Sequence, residues 1–163
     1  MKAEDAVEVI LFLEENGVEV YLDGGWAGEQ TRKHEDLDVA VPEKDVSRLR
    51  ELLSERGYRE RRRDDTWECN SVLVDAQGRE IDVHTYTLDE TGNNIHSVPY
   101  AREHLTGNGL INGYAVRCVP PEWLVRFHTG YKLDRNDFRE VRALCGRFGI
   151  ALPDEFLKEL EKG

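Results

Sequence analysis

The chain has 163 residues, 39% of them hydrophobic and 34% charged, a balance that supports a compact folded unit with a real core and excludes a disordered chain. Its net charge of −11 argues against a nucleic-acid partner, because such binding depends on Lys and Arg neutralising phosphates. No apolar run approaches the length of a bilayer span, and Met1-Lys2-Ala3-Glu4-Asp5 leads straight into a charged helical pattern, so no membrane partner and a cytoplasmic location are expected.

In chain order, Val7, Ile10, Leu11 and Leu13 recur at near-helical spacing, which predicts a helix over Ala3 to Asn16 stopped by Gly17. Val18 to Leu22 reads as a short strand running into Asp23-Gly24-Gly25-Trp26, where paired glycines permit close backbone approach. Asp36 to Val41 is a strand ended by Pro42, and Glu43 to Arg56 a helix stopped by Gly57. Trp67 to Val74 and Glu80 to Leu88 flank a glycine-containing loop, a hairpin pattern. Asp89 to Gly113 is read as loop with one short helix near Tyr100 to Leu105, a segment facing substrate. Tyr114 to Val119 completes the strands, and helices follow at Glu122 to Thr129, Arg135 to Phe148 and Asp154 to Lys162. The expected class is α/β (α+β): a mixed sheet flanked by helices over residues 1–119, then a helical region over 120–163 packed on it. That tail offers a surface through which a homodimer could form. Cys69, Cys118 and Cys145 are odd in number and widely spaced, so neither a disulfide framework nor a zinc site is indicated.

The chemistry lies in strand alternation, since side chains i and i+2 share a face. Asp36 and Asp38 therefore point one way, with Leu37, Val39 and Val41 on the buried side. Asp82 and His84 do the same in the later strand, opposite Ile81 and Val83. Two carboxylates about 5 Å apart repel by roughly 3 kcal/mol at an effective dielectric near 20. A divalent cation is the simplest neutraliser, and hard oxygen donors favour Mg²⁺ or Mn²⁺. Because Mg²⁺ usually shares its shell with substrate phosphates, a nucleoside triphosphate is the natural companion, and Gly24-Gly25 can bring backbone N–H groups against it. Arg32, near the glycine turn, is a phosphate candidate. His128 and Lys132, at and beyond a helix end, either reach a phosphate or merely favour the helix dipole. Trp26, Trp67 and Trp123 read as core residues, and Arg61-Arg62-Arg63, answered by Asp64-Asp65, as a solvated run.

Gly24-Gly25, ten residues, Asp36-Leu37-Asp38 and a later strand Asp82 together resemble the DNA polymerase β-type nucleotidyltransferase superfamily. The longer string Leu22-Asp23-Gly24-Gly25-Trp26 with Gln30-Thr31-Arg32-Lys33-His34-Glu35-Asp36-Leu37-Asp38 is similar to the small antibiotic adenylyltransferases, both lincosamide nucleotidyltransferases and aminoglycoside 2″-adenylyltransferase. Ile81-Asp82-Val83-His84 and Phe127-His128-Thr129-Gly130-Tyr131 extend that likeness on the lincosamide side. The resemblance implies a polymerase β-like fold and transfer of AMP from ATP to a hydroxyl of a small acceptor. It further implies two Mg²⁺ ions held by Asp36, Asp38 and Asp82, with Asp82 as general base. One departure stands out: only Ala27-Gly28-Glu29 separate Gly-Gly-Trp from Gln-Thr-Arg, where those enzymes carry about five residues more, over one helical turn. Two other readings stay open, a nucleotidyltransferase acting on a protein or tRNA and a non-catalytic nucleotide-binding or interaction module.

Overall fold

The computed structural model describes residues 1–31, 33–62, 70–96, 99–130 and 132–160; Arg32, Trp67, Cys69 and Tyr131 of the sequence readings lie outside them. Within these residues seven strands form one mixed sheet in the order β3-β4-β5-β2-β1-β7-β6, where β1 is Tyr21–Leu22, β2 Asp36–Pro42, β3 Arg59–Arg61, β4 Asn70–Val74, β5 Glu80–Tyr86, β6 Gly107–Ile111 and β7 Tyr114–Cys118. Among the described residues, five helices accompany them: α1 Ala3–Glu15, α2 Glu43–Glu55, α3 Pro121–Phe127, α4 Arg135–Phe148 and α5 Asp154–Leu160. Two pairs run parallel, β2 with β5 and β1 with β7, and the others are antiparallel.

Alternation places Leu37, Val39, Val41, Ile81 and Val83 on one face, all fully buried in a core shared with Ile10 and Leu13 of α1 and Leu49 and Leu53 of α2. The opposite face is divided. At the far ends of β2 and β5, Ala40 and Tyr86 join a second apolar cluster with Leu124 and Val125 of α3, Val141 and Leu144 of α4, and Phe156 of α5. At the near ends the same face carries Asp36, Asp38 and Asp82. The helices thus cover half of that face and leave the acidic half to the loops.

Expected elements and observed ones differ at several places, and β3 at Arg59–Arg61 forms where no strand was expected. The strand over Val18 to Leu22 shortens to Tyr21–Leu22, with Val18 and Val20 buried before it. The short helix near Tyr100 is a 3₁₀ turn at Arg102–Leu105. The segment read as loop up to Gly113 contains β6, which pairs with β7 from Gly107↔Cys118 to Ile111↔Tyr114. Asn112 and Gly113, both at positive φ (50° and 83°), form the two-residue Asn-Gly turn between them. Gly107 tolerates no side chain there, because a Cβ would meet the Cys118 carbonyl and lie 3.0 Å from the Pro120 nitrogen. Gly107 thus serves close strand approach rather than a loop.

Of the thiols, Cys118 and Cys145 are free and buried. No helix among the described residues is long and apolar enough to cross a membrane.

Candidate active site

Parallel pairing of β2 with β5 puts Asp36 opposite Glu80 and Asp38 opposite Asp82. One ligating atom from each of Asp38, Asp82 and His84 falls within 4.8 Å of the others. His84 Nε2 lies 3.9 Å from Asp38 Oδ1. Burial alone would lower the His84 pKa, but the nearby Asp38 carboxylate and the charges of Asp23 and Asp82 prevail and raise it to about 9. Asp36 moves upward, to about 7, first because it is buried and then because Asp38 and Asp82 repel its charge. Asp36 therefore shares the field of the cluster while lying outside its tightest group. This is a site whose electrostatics favour a cation, and its donors, two carboxylates and an imidazole with a third carboxylate adjoining, fit a hard divalent ion such as Mg²⁺ or Mn²⁺.

The glycine turn is built onto this cluster. The Asp23 N–H donates to the Asp38 carbonyl at 2.9 Å, continuing the β1–β2 ladder by one residue. Gly24 to Ala27 then form a 3₁₀ turn capped by Asp23, whose Oδ1 accepts from the Gly24 N–H at 2.9 Å. The other Asp23 oxygen accepts from the hydroxyl of Tyr100, which is 2% exposed and packs edge-on against Phe127 at 6.0 Å. Gly24 has φ +69°, and a Cβ there would fall on the Asp38 carboxylate. Only glycine lets the turn lie directly over the acidic cluster. Trp26 is fully buried, stacks on His34 at 4.0 Å, and donates its Nε1–H to the Asp36 carbonyl at 2.9 Å. It ties the turn to the start of β2.

The C-terminal helices close on the turn from outside. A Cβ on Gly25 would fall on the Glu140 carboxylate of α4, and one on Gly28 would lie 3.2 Å from Ala143 Cβ. His128, just past α3, has Nδ1 3.1 Å from Asp137 Oδ1 and Nε2 3.7 Å from Glu140 Oε2, so it stands between two acids of α4. Lys132 is exposed. Asp23, Tyr100 and Glu140 are the residues that sequence reading did not single out. Asp23 carried a signal, being a favoured N-cap type directly before the glycines. Glu140 and Tyr100 carried none, because they arrive at the turn by tertiary packing.

Comparison with known proteins agrees with this geometry. The aminoglycoside-2″-adenylyltransferase family matches residues 6–144. A lincosamide resistance protein of Staphylococcus haemolyticus is 25% identical over 160 residues, covering 88% of this chain and 98% of that one. Among solved structures, the lincomycin-bound lincosamide antibiotic adenylyltransferase LnuA superposes with a TM-score of 0.71 at 22% identity, covering 91% of this chain and 98% of the other. ANT(2″)-Ia in complex with adenylyl-2″-tobramycin gives 0.71 at 18% identity, covering 97% and 93%. With a polymerase β-like sheet carrying paired aspartates beneath a Gly-Gly turn, and with most of its length matched, the chain belongs to the aminoglycoside-2″-adenylyltransferase family and is a nucleotidyltransferase.

Proposed function

We propose that this enzyme transfers AMP from ATP to a hydroxyl of a small antibiotic of the lincosamide or aminoglycoside kind. The observation that carries the reading is the placement of Asp38 and Asp82 in register on adjacent strands directly beneath Gly24. Asp36, Asp38 and Asp82 hold two Mg²⁺ ions, with His84 close enough to join or orient that set. When bound, the ions neutralise charge on the α-phosphate and on the departing pyrophosphate. Gly24 and Gly25 present backbone to the triphosphate, and Arg32 and Lys132 supply positive charge to its outer phosphates.

Asp82 accepts the acceptor's hydroxyl proton as that oxygen forms a bond to the α-phosphorus. The bond from the α-phosphorus to the bridging oxygen breaks, and pyrophosphate leaves with that electron pair. The clustered carboxylates favour a donor that arrives with its cation.

The test is mass spectrometry of lincomycin and tobramycin after incubation with enzyme, ATP and Mg²⁺, where one acceptor gains the mass of AMP. Asp82→Asn should lower that turnover by about a thousandfold, within the range assigned to a general base and its associated charge. If neither antibiotic class is modified at any concentration of donor, the acceptor assignment is wrong; unchanged turnover in the variant removes Asp82 from the mechanism.

A further inference from the structure

Gly25 has no side chain, and the space a Cβ would fill is taken by the Glu140 carboxylate. Glu140 faces His128 and is carried by a helix whose start is fixed. Its helix begins with a reciprocal cap, in which Asp134 accepts from the N–H groups of Asn136 and Asp137 while Asp137 accepts from the Asp134 N–H at 2.7 Å. Asp137 in turn meets His128, whose other ring nitrogen faces Glu140. One turn further along α4, Ala143 and Leu144 sit against Gly28, so the glycine turn packs flush on this helix.

A carboxylate in this position bears on the donor. The reading of the Gly-Gly turn as the triphosphate surface, on which this inference rests, puts polyphosphate charge beside Glu140. We propose that Glu140 is a specificity-determining residue that selects the metal-loaded donor by repelling metal-free triphosphate at the Gly24-Gly25 turn. Metal-free ATP carries about two more negative charges than its Mg²⁺ complex, so a fixed carboxylate penalises it more heavily. AMP, which lacks the outer phosphates, experiences little of this field. The same carboxylate weakens donor binding overall, which keeps the turn from being occupied by free nucleotide that cannot react.

The experiment compares wild type with Glu140→Gln, which keeps the shape and removes the charge, and with Glu140→Asp, which keeps the charge and draws it back by one methylene. Isothermal titration is run with ATP in EDTA, with Mg-ATP and with AMP. Glu140→Gln should bind metal-free ATP about tenfold more tightly, Mg-ATP about threefold more tightly and AMP within twofold of wild type, with Glu140→Asp between the two proteins. Raising ionic strength should narrow the gap. Equal gains for all three ligands would indicate a steric or structural effect and overturn the proposal, as would wild-type or weaker ATP binding by Glu140→Gln. If the wild type transfers AMP while the Gln variant shows no selective gain, the selection role alone falls. If neither protein binds ATP under any condition, the donor-site reading falls with it.

Discussion

Gly24 illustrates how one residue joins backbone and chemistry. Its φ of +69° lies in the left-handed region, and the space beside its Cα is already filled by the Asp38 carboxylate. Gly24→Ala therefore suffers twice: roughly 1–2 kcal/mol for the backbone conformation, and displacement of Asp38 from its place beside Asp82. The expected result is a lower midpoint in denaturant melts together with a loss of AMP transfer larger than the stability change explains. An alanine variant with wild-type turnover would show that the close approach of turn and carboxylate is dispensable. Trp26 contributes from below, since its indole bond to the Asp36 carbonyl fixes where β2 begins relative to the turn.

Among the elements, α4 and the β4–β5 turn have sharp local causes. Asp134 caps α4 by accepting from Asn136 and Asp137 N–H groups at 2.7 and 2.9 Å, and Gly149 ends it at φ +68°. Asp134→Ala should destabilise the protein by about 1 kcal/mol, seen as a shift in the urea midpoint with the slope unchanged. In the β4–β5 turn, Asp75 accepts from the N–H groups of Gln77 and Arg79 at 2.9 Å each and from the Arg79 side chain at 2.6 Å. Arg79 also reaches Asp5 of α1 at 3.0 Å, so the turn is tied to the first helix. Burial by itself would raise the Asp75 pKa, yet these donors outweigh it and hold the carboxyl below its ordinary 3.8. Because the folded value is the lower one, this stabilisation is present above the unfolded value and disappears as pH falls through the folded one. Asp75→Asn should thus be about 2 kcal/mol less stable than wild type at pH 7, with the gap closing below pH 4 in melts across that range. A gap that persists unchanged at pH 3 would mean that the carboxylate charge is not its source.

At the scale of the whole molecule, the acidic half-face carries repulsion that a bound cation relieves, and the net charge of −11 adds to it. Mg²⁺ with ATP should raise the melting temperature by several degrees through binding to the folded state alone, and EDTA should reverse the rise. Asp38→Asn should abolish the response, since it removes a carboxylate from the cluster. An equal response in that variant would place the cation elsewhere.

Much of this was legible in the chain itself. Period-two alternation in Asp36-Leu37-Asp38-Val39 and Ile81-Asp82-Val83-His84 sorts carboxylates from core residues, because the pleat alone decides which face a side chain takes. Helix ends at Gly17 and Gly57 were equally local, being set by the backbone freedom of one residue. The β6–β7 hairpin was also present in the Asn112-Gly113 pair but was obscured by Gly107, whose purpose depends on a neighbouring strand. What no local pattern contains is adjacency. Asp82 meets Asp38 because β5 inserts beside β2, Tyr100 meets Asp23 because the second apolar cluster carries it there, and Glu140 meets Gly25 because α4 packs on the turn. Residue types and their faces follow from short-range sterics and were determined by the sequence alone. The company those residues keep was decided by the burial of apolar surface across the whole fold, which only the tertiary structure reveals.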